Sequence, residues 1–170
     1  MNSSDLKASL WSQFGASIDM FTSALRACPG DLWQRSLWED DRPDLAQFWY
    51  LGYHALFWLD LYLSGAVEGF APPPPFTLDE LDPTGILPDP PCSQEQLLAY
   101  AGYCREKCCT TLAALTEESA ARRCRFPWGE ISFAELCLYN LRHIQEHAAQ
   151  MNLFLGQNGV QAGDWVAKAT

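Results

Sequence analysis

Three histidines are all that this chain of 170 residues contains, and two of them, His143 and His147, stand four apart. In a helix that spacing sets both imidazoles on one face, one turn above the other, where they can converge on a single metal ion. The third, His54, lies among Tyr50, Leu51, Phe57, Trp58 and Leu61, on a face apolar enough to point inward. An imidazole buried there needs a partner, because an unpaired buried polar group costs about 1–3 kcal/mol. Three neutral imidazoles with no fourth protein ligand are the donor set of an open zinc-type site, which keeps a position for water or substrate. The competing reading is a set of core histidines satisfied by ordinary hydrogen bonds. His143-Ile-Gln-Glu-His147 also spells H-x-x-E-H, the inverted zinc-peptidase pattern, with Glu146 as general base. Against it, the chain is short for such a peptidase, and no downstream acidic residue sits on a recognisable ligand-bearing helix.

Neighbouring positions extend the candidate site. Asn140, one turn before His143, and Gln150, one turn after His147, fall on the same helical face and could orient a ligand or water. Tyr50 stands one turn before His54. Two other clusters compete for attention. Cys104, Cys108 and Cys109 crowd one stretch, suited to a soft metal or a redox pair, although buried cysteines mostly serve as small hydrophobes. Arg122, Arg123 and Arg125 gather in an otherwise acidic chain, either to receive an anionic substrate or as a solvated loop.

Four long segments carry the helical periodicity that would position these residues. The first runs from about Ser4 to Ala27, with Leu6, Leu10, Phe14, Ile18, Phe21 and Leu25 at steps of three and four. The second begins after Pro43, with Asp44 as its cap, and runs to Ser64-Gly65; it is apolar almost all round, as a helix buried among neighbours must be. Ser93 and Gln96 have capping-box spacing and open the third, to about Leu115. Ser132 and Glu135 open the fourth, which ends at Leu155 with Gly156 as its left-handed stop. No alternating run demands a sheet, and only a short hairpin-like turn fits Arg125 to Gly129. The expected fold is all-α: one domain over residues 1–170, a four-helix bundle. Between helices two and three, residues 65–92 hold eight of the eleven prolines and form a stiff, extended crossover, with a lid or a partner contact as the alternatives.

Composition narrows the partners. A net charge of −10 supplies no positive field for phosphate backbones, so nucleic acid is excluded as a ligand. The longest apolar run, Phe48 to Leu63, is broken by His54 and Asp60 and falls short of the roughly 20 residues of a membrane span. No basic and apolar leader opens the sequence, and seven cysteines read as reduced thiols, which together point to the cytoplasm. Exposed aromatic faces on a bundle suggest a homodimer.

A histidine in the second helix, then His143-Ile-Gln-Glu-His147-Ala-Ala-Gln150 followed by Leu153-Phe-Leu-Gly156 in the fourth, resembles the DinB/YfiT-like superfamily. The resemblance implies that His54, His143 and His147 are three metal ligands, with zinc or nickel as the ion. It also implies a small-molecule substrate. The family includes transferases and isomerases that use bacillithiol or mycothiol, and metal-dependent hydrolases. The expected activity is therefore S-transfer to or from a low-molecular-weight thiol, or hydrolysis. The alternative is a non-catalytic, stress-associated or protein-interaction bundle whose metal is structural or absent.

Overall fold

The computed structural model describes residues 3–161 and 163–170. Four long helices dominate it: α1 (Ser3–Ala27), α2 (Phe48–Ser64), α3 (Gln94–Ala113) and, after a short α4 (Glu117–Ala121), α5 (Phe133–Gln157). α1 packs on α3 and α5, and α2 packs on the same two. The core between them is built from the periodic positions of each, including Phe14, Ile18, Phe21 and Leu25 of α1 and Ile144, Ala148, Met151 and Leu155 of α5. Among the described residues, no helix is long and apolar enough to cross a membrane.

The helix ends differ from expectation in two places, each for a local reason. α2 starts at Phe48 rather than after Pro43, because Pro43–Ala46 forms a separate 3-10 turn and Gln47 is extended. The amides of Phe48 and Trp49 donate to the carbonyls of Arg35 and Trp33, so the chain before α2 is held as a ladder and the helix cannot extend backwards. α5 passes through Gly156; the left-handed glycine is Gly159, at φ 74°, and Val160 N–H closes on the Leu155 carbonyl. The turn at residues 125–129 belongs to an antiparallel hairpin of β1 (Arg123–Phe126) and β2 (Gly129–Ser132), in register Arg123 with Ser132. Ser93 and Gln96 close the expected reciprocal capping box on α3, and Gly65 ends α2 at φ 77°. On α5 the Ser132 half of the expected box forms, its hydroxyl accepting from the Glu135 amide, and the N-cap of α2 is Gln47 rather than Asp44, which lies inside the 3-10 turn.

α2 is buried along almost its whole length. A charge inside it must therefore be paired. Asp60, fully buried, receives Lys107 Nζ at 2.5 Å and Tyr100 Oη–H at 2.9 Å, both from α3. The exceptions to burial are as regular as the rule. Tyr50, His54 and Trp58 are each only half-buried and recur every fourth residue, forming one stripe that α2 turns toward the segment leading to α3.

Candidate metal centre

α2 and α5 bring the three histidines together. Consecutive turns of α5 place His143 and His147 with their Nε2 atoms 3.0 Å apart and their rings perpendicular. His54 meets them from α2, its ring centre 5.5 Å from that of His143 and 5.3 Å from that of His147. One ligand atom from each lies within 4.8 Å of the others, and among the described residues no fourth His, Cys, Asp or Glu joins the group. Three nitrogens about 2.0–2.1 Å from one tetrahedral ion would stand about 3.3 Å apart. The observed cluster brackets that spacing.

Protonation and tautomer both suit a metal. Burial, then the proximity of His147 and His54, lowers the His143 pKa to about 2. Burial and His54 lower that of His147, against a small opposing effect of its bond to Gln150. Both imidazoles are thus neutral near pH 7 and offer lone pairs. Which nitrogen carries the lone pair follows from the acceptors around them. His147 Nδ1 donates to Gln150 Oε1 at 2.8 Å, leaving Nε2 bare. His54 Nδ1 bonds a carboxylate oxygen of Glu80, and a carboxylate only accepts, so Nδ1 holds the proton and Nε2 is again free. The bare Nε2 of His147 lies 3.0 Å from Nε2 of His143, close enough for the two to share one hydrogen or one cation. His143 differs from its partners in having no hydrogen-bond partner for its buried Nδ1.

Glu80 is the residue that sequence reasoning missed. It sits on a 3-10 turn (Asp79–Leu81) inside the proline-rich segment, with a side chain only 6% exposed. All three residues of the half-buried α2 stripe grip it. Oε1 accepts from His54 Nδ1 and from Trp58 Nε1 at 3.0 Å, while Oε2 accepts from Tyr50 Oη at 3.1 Å. Tyr50 therefore acts on His54 through Glu80 rather than on the cleft directly. The segment holds five carboxylates, Glu68, Asp79, Glu80, Asp82 and Asp89, and nothing in their spacing singles out the one that turns inward. The available signal lies on α2, in three hydrogen-bond donors at i, i+4 and i+8.

The remaining candidates separate cleanly. Asn140 is 1% exposed and its Nδ2 donates to the Leu59 carbonyl of α2 at 3.0 Å, so it joins the two helices that carry the histidines. Glu146 lines a cleft of about 310 Å³ beside the three imidazoles, together with Trp58, Tyr62 and Tyr139. The arginine cluster is spent internally: Arg123 and Arg125 both bind Glu130 across the hairpin, and Arg122 stacks on Phe133. All seven cysteines are free, and six are buried. Burial lifts the thiol of Cys104 well above its ordinary value, which keeps it protonated and poor as a ligand or nucleophile.

Comparisons with known proteins bear on the family and the fold. A family model described as the DinB superfamily matches residues 13–151, a span that includes all three histidines, Glu80 and Gln150. No curated protein matches the sequence. Among solved structures, the fold is similar to that of a DinB-like protein of Bacillus subtilis, YjoA, at a TM-score of 0.60 and 13% identity, over 93% of this chain and 98% of that one. At that identity the likeness is one of fold.

Proposed function

The chain belongs to the DinB superfamily, and from that premise we propose that it is a metal-dependent enzyme whose ion, zinc or nickel, is held by His54, His143 and His147. The four long helices are read as a four-helix bundle and the proline-rich segment as its crossover. One observation carries the proposal: three imidazoles converge to within 4.8 Å, with two of their Nε2 lone pairs fixed by acceptors on the far nitrogen.

The chain's own groups divide the work. Glu80 and Gln150 hold the rings of His54 and His147 in orientation, and hydrogen bonds of this kind also raise the basicity of the donor nitrogen. Tyr50 and Trp58 fix Glu80 in turn. The rings of Trp58, Tyr62 and Tyr139 wall the cleft beside the imidazoles. A bound ion of this type supplies Lewis acidity, which favours the anionic form of a coordinated water or thiol near neutral pH. S-transfer with a low-molecular-weight thiol and hydrolysis are the two reactions that chemistry serves. Three protein ligands without a fourth favour an open, catalytic site over a closed structural one.

The test is metal analysis of untagged protein by plasma mass spectrometry, beside a His54→Ala/His143→Ala double variant. Near-stoichiometric zinc or nickel in the wild type, lost in the variant, is expected, followed by turnover of an electrophile with a small thiol. A folded wild type that stays empty after addition of either ion would refute the centre.

A further inference from the structure

The cleft beside the histidines has a chemistry of its own that the metal reading does not use. Its non-histidine walls are Trp58, Tyr62, Tyr139 and Glu146, so it combines three aromatic rings with one carboxylate, and no lysine or arginine lines it. The rings are not free to rearrange. Trp128, from the turn of the hairpin, stacks on Tyr139 at 4.8 Å between centres and donates its Nε1–H to Tyr62 Oη at 3.2 Å. Phe126 stacks behind Trp128 at 5.5 Å and meets Tyr62 edge to face. The hairpin thus works as a brace for the aromatic wall. Arg142 stands over the ring of Tyr139 at 5.8 Å and occupies that face, outside the residues that line the cleft. With Trp128 and Arg142 on Tyr139 and only 5% of Tyr62 exposed, Trp58 is the ring that remains half-open to a ligand. Its position is fixed by its bond to Glu80.

Aromatic faces attract cations through the ring quadrupole, most strongly for tryptophan. Glu146, exposed at the rim, adds a full negative charge, and the chain's net charge of −10 raises the local concentration of cations and repels anions. We infer that the substrate bound beside the metal centre is an organic cation with an apolar body, its charged group over Trp58 and facing Glu146. The inference rests on the metal-centre reading for the reaction, but not for the binding, which the aromatic wall and carboxylate provide.

The experiment separates the two. Benzyltrimethylammonium cannot coordinate a metal, because its nitrogen has no lone pair. Its binding is measured by calorimetry on zinc-loaded and on metal-free protein, beside benzyl alcohol as the neutral probe and phenylacetate as the anion. On metal-free protein the ammonium is expected to bind more tightly than either other probe; on the zinc-loaded form it is compared with benzyl alcohol alone, because the carboxylate of phenylacetate can coordinate the ion. Trp58→Leu is expected to weaken it about tenfold. Glu146→Gln lies on the surface, where folding is insensitive to it; it is expected to weaken the ammonium and leave benzyl alcohol unchanged. Phenylacetate binding metal-free protein as tightly as the ammonium, no binding by any of the three probes, or an ammonium affinity indifferent to Glu146→Gln would each overturn the proposal. A protein that takes no zinc yet binds the ammonium refutes the metal centre alone and supports the cation site. A protein that loads zinc and ignores the ammonium does the reverse.

Discussion

Glu80 offers the sharpest test of how the site is held, because its two oxygens have different partners. Oε1 serves His54 and Trp58, and Oε2 serves Tyr50. In Glu80→Gln the amide oxygen can keep the Oε1 position and still accept from both ring N–H groups. The amide nitrogen then faces Tyr50, whose hydroxyl can turn round and accept. The variant therefore loses the negative charge and little else, so the bond to His54 weakens from charge-assisted to neutral. In Glu80→Ala the orientation of His54 is lost as well. Removing a carboxylate that supports a ligating histidine costs about 10–100-fold in metal affinity. The distinction above puts Gln near tenfold and Ala near a hundredfold, or about 1.4 and 2.7 kcal/mol. The assay is competition for zinc against a chromophoric chelator at fixed pH and ionic strength, with thermal melts to follow folding. Ala also strands Tyr50 and Trp58, but both are half-buried and reach water, so a fall in Tm of only a few degrees accompanies it. A folded Glu80→Ala protein whose zinc affinity stays within twofold of wild type would refute the reasoning, and a Gln variant as weak as Ala would refute the assignment of the two oxygens.

Other consequences are open to measurement. The pKa of His143 is lowered to about 2 and that of His147 is lowered too, so between those values and 6.5 the unfolded chain binds protons that the native one does not. Stability of metal-free protein therefore falls as pH drops below about 6.5, by up to about 1.4 kcal/mol per pH unit for each imidazole. Urea melts between pH 7 and 5, above the range of most carboxylates, should reveal this slope, and His143→Gln should flatten it; equal slopes in the two proteins would refute the assignment. Asp60→Ala leaves Lys107 without its carboxylate, and because Lys107 is 23% exposed the loss is at the low end for a broken buried pair, about 3 kcal/mol by chemical denaturation. A loss below 1 kcal/mol would show that the pair is not buried in solution. A thiol reagent added to native protein should modify Cys109 fastest and the six buried cysteines only as the protein opens. Fast reaction of several thiols at once would contradict the packing of α3.

The histidines and the helices were readable because both obey local periods. His143 and His147 share a face for the same reason that Ile144, Ala148, Met151 and Leu155 line a core: 3.6 residues make a turn. His54 was readable through the apolar residues around it, since a polar group on an inward face must be there for a partner. Glu80 obeys no period. It reaches His54 by a chain excursion of 26 residues, and whether Asp79, Glu80 or Asp82 turns inward depends on backbone torsions that residue type alone does not determine. Asn140 illustrates the opposite limit: helical phase gives its face, but its bond to the Leu59 carbonyl depends on how closely α5 approaches α2. The proline-rich segment links these cases. A stiff connection and a carboxylate held in place look like separate properties, one structural and one functional. Yet ordering a flexible loop of this length would cost about 1–2 kcal/mol per residue, and proline removes part of that cost by restricting the unfolded chain. The eight prolines between Gly65 and Cys92 therefore lower the free energy of keeping Glu80 against His54. On this argument the stiffness read from the sequence is the physical basis for the bond that the sequence did not disclose.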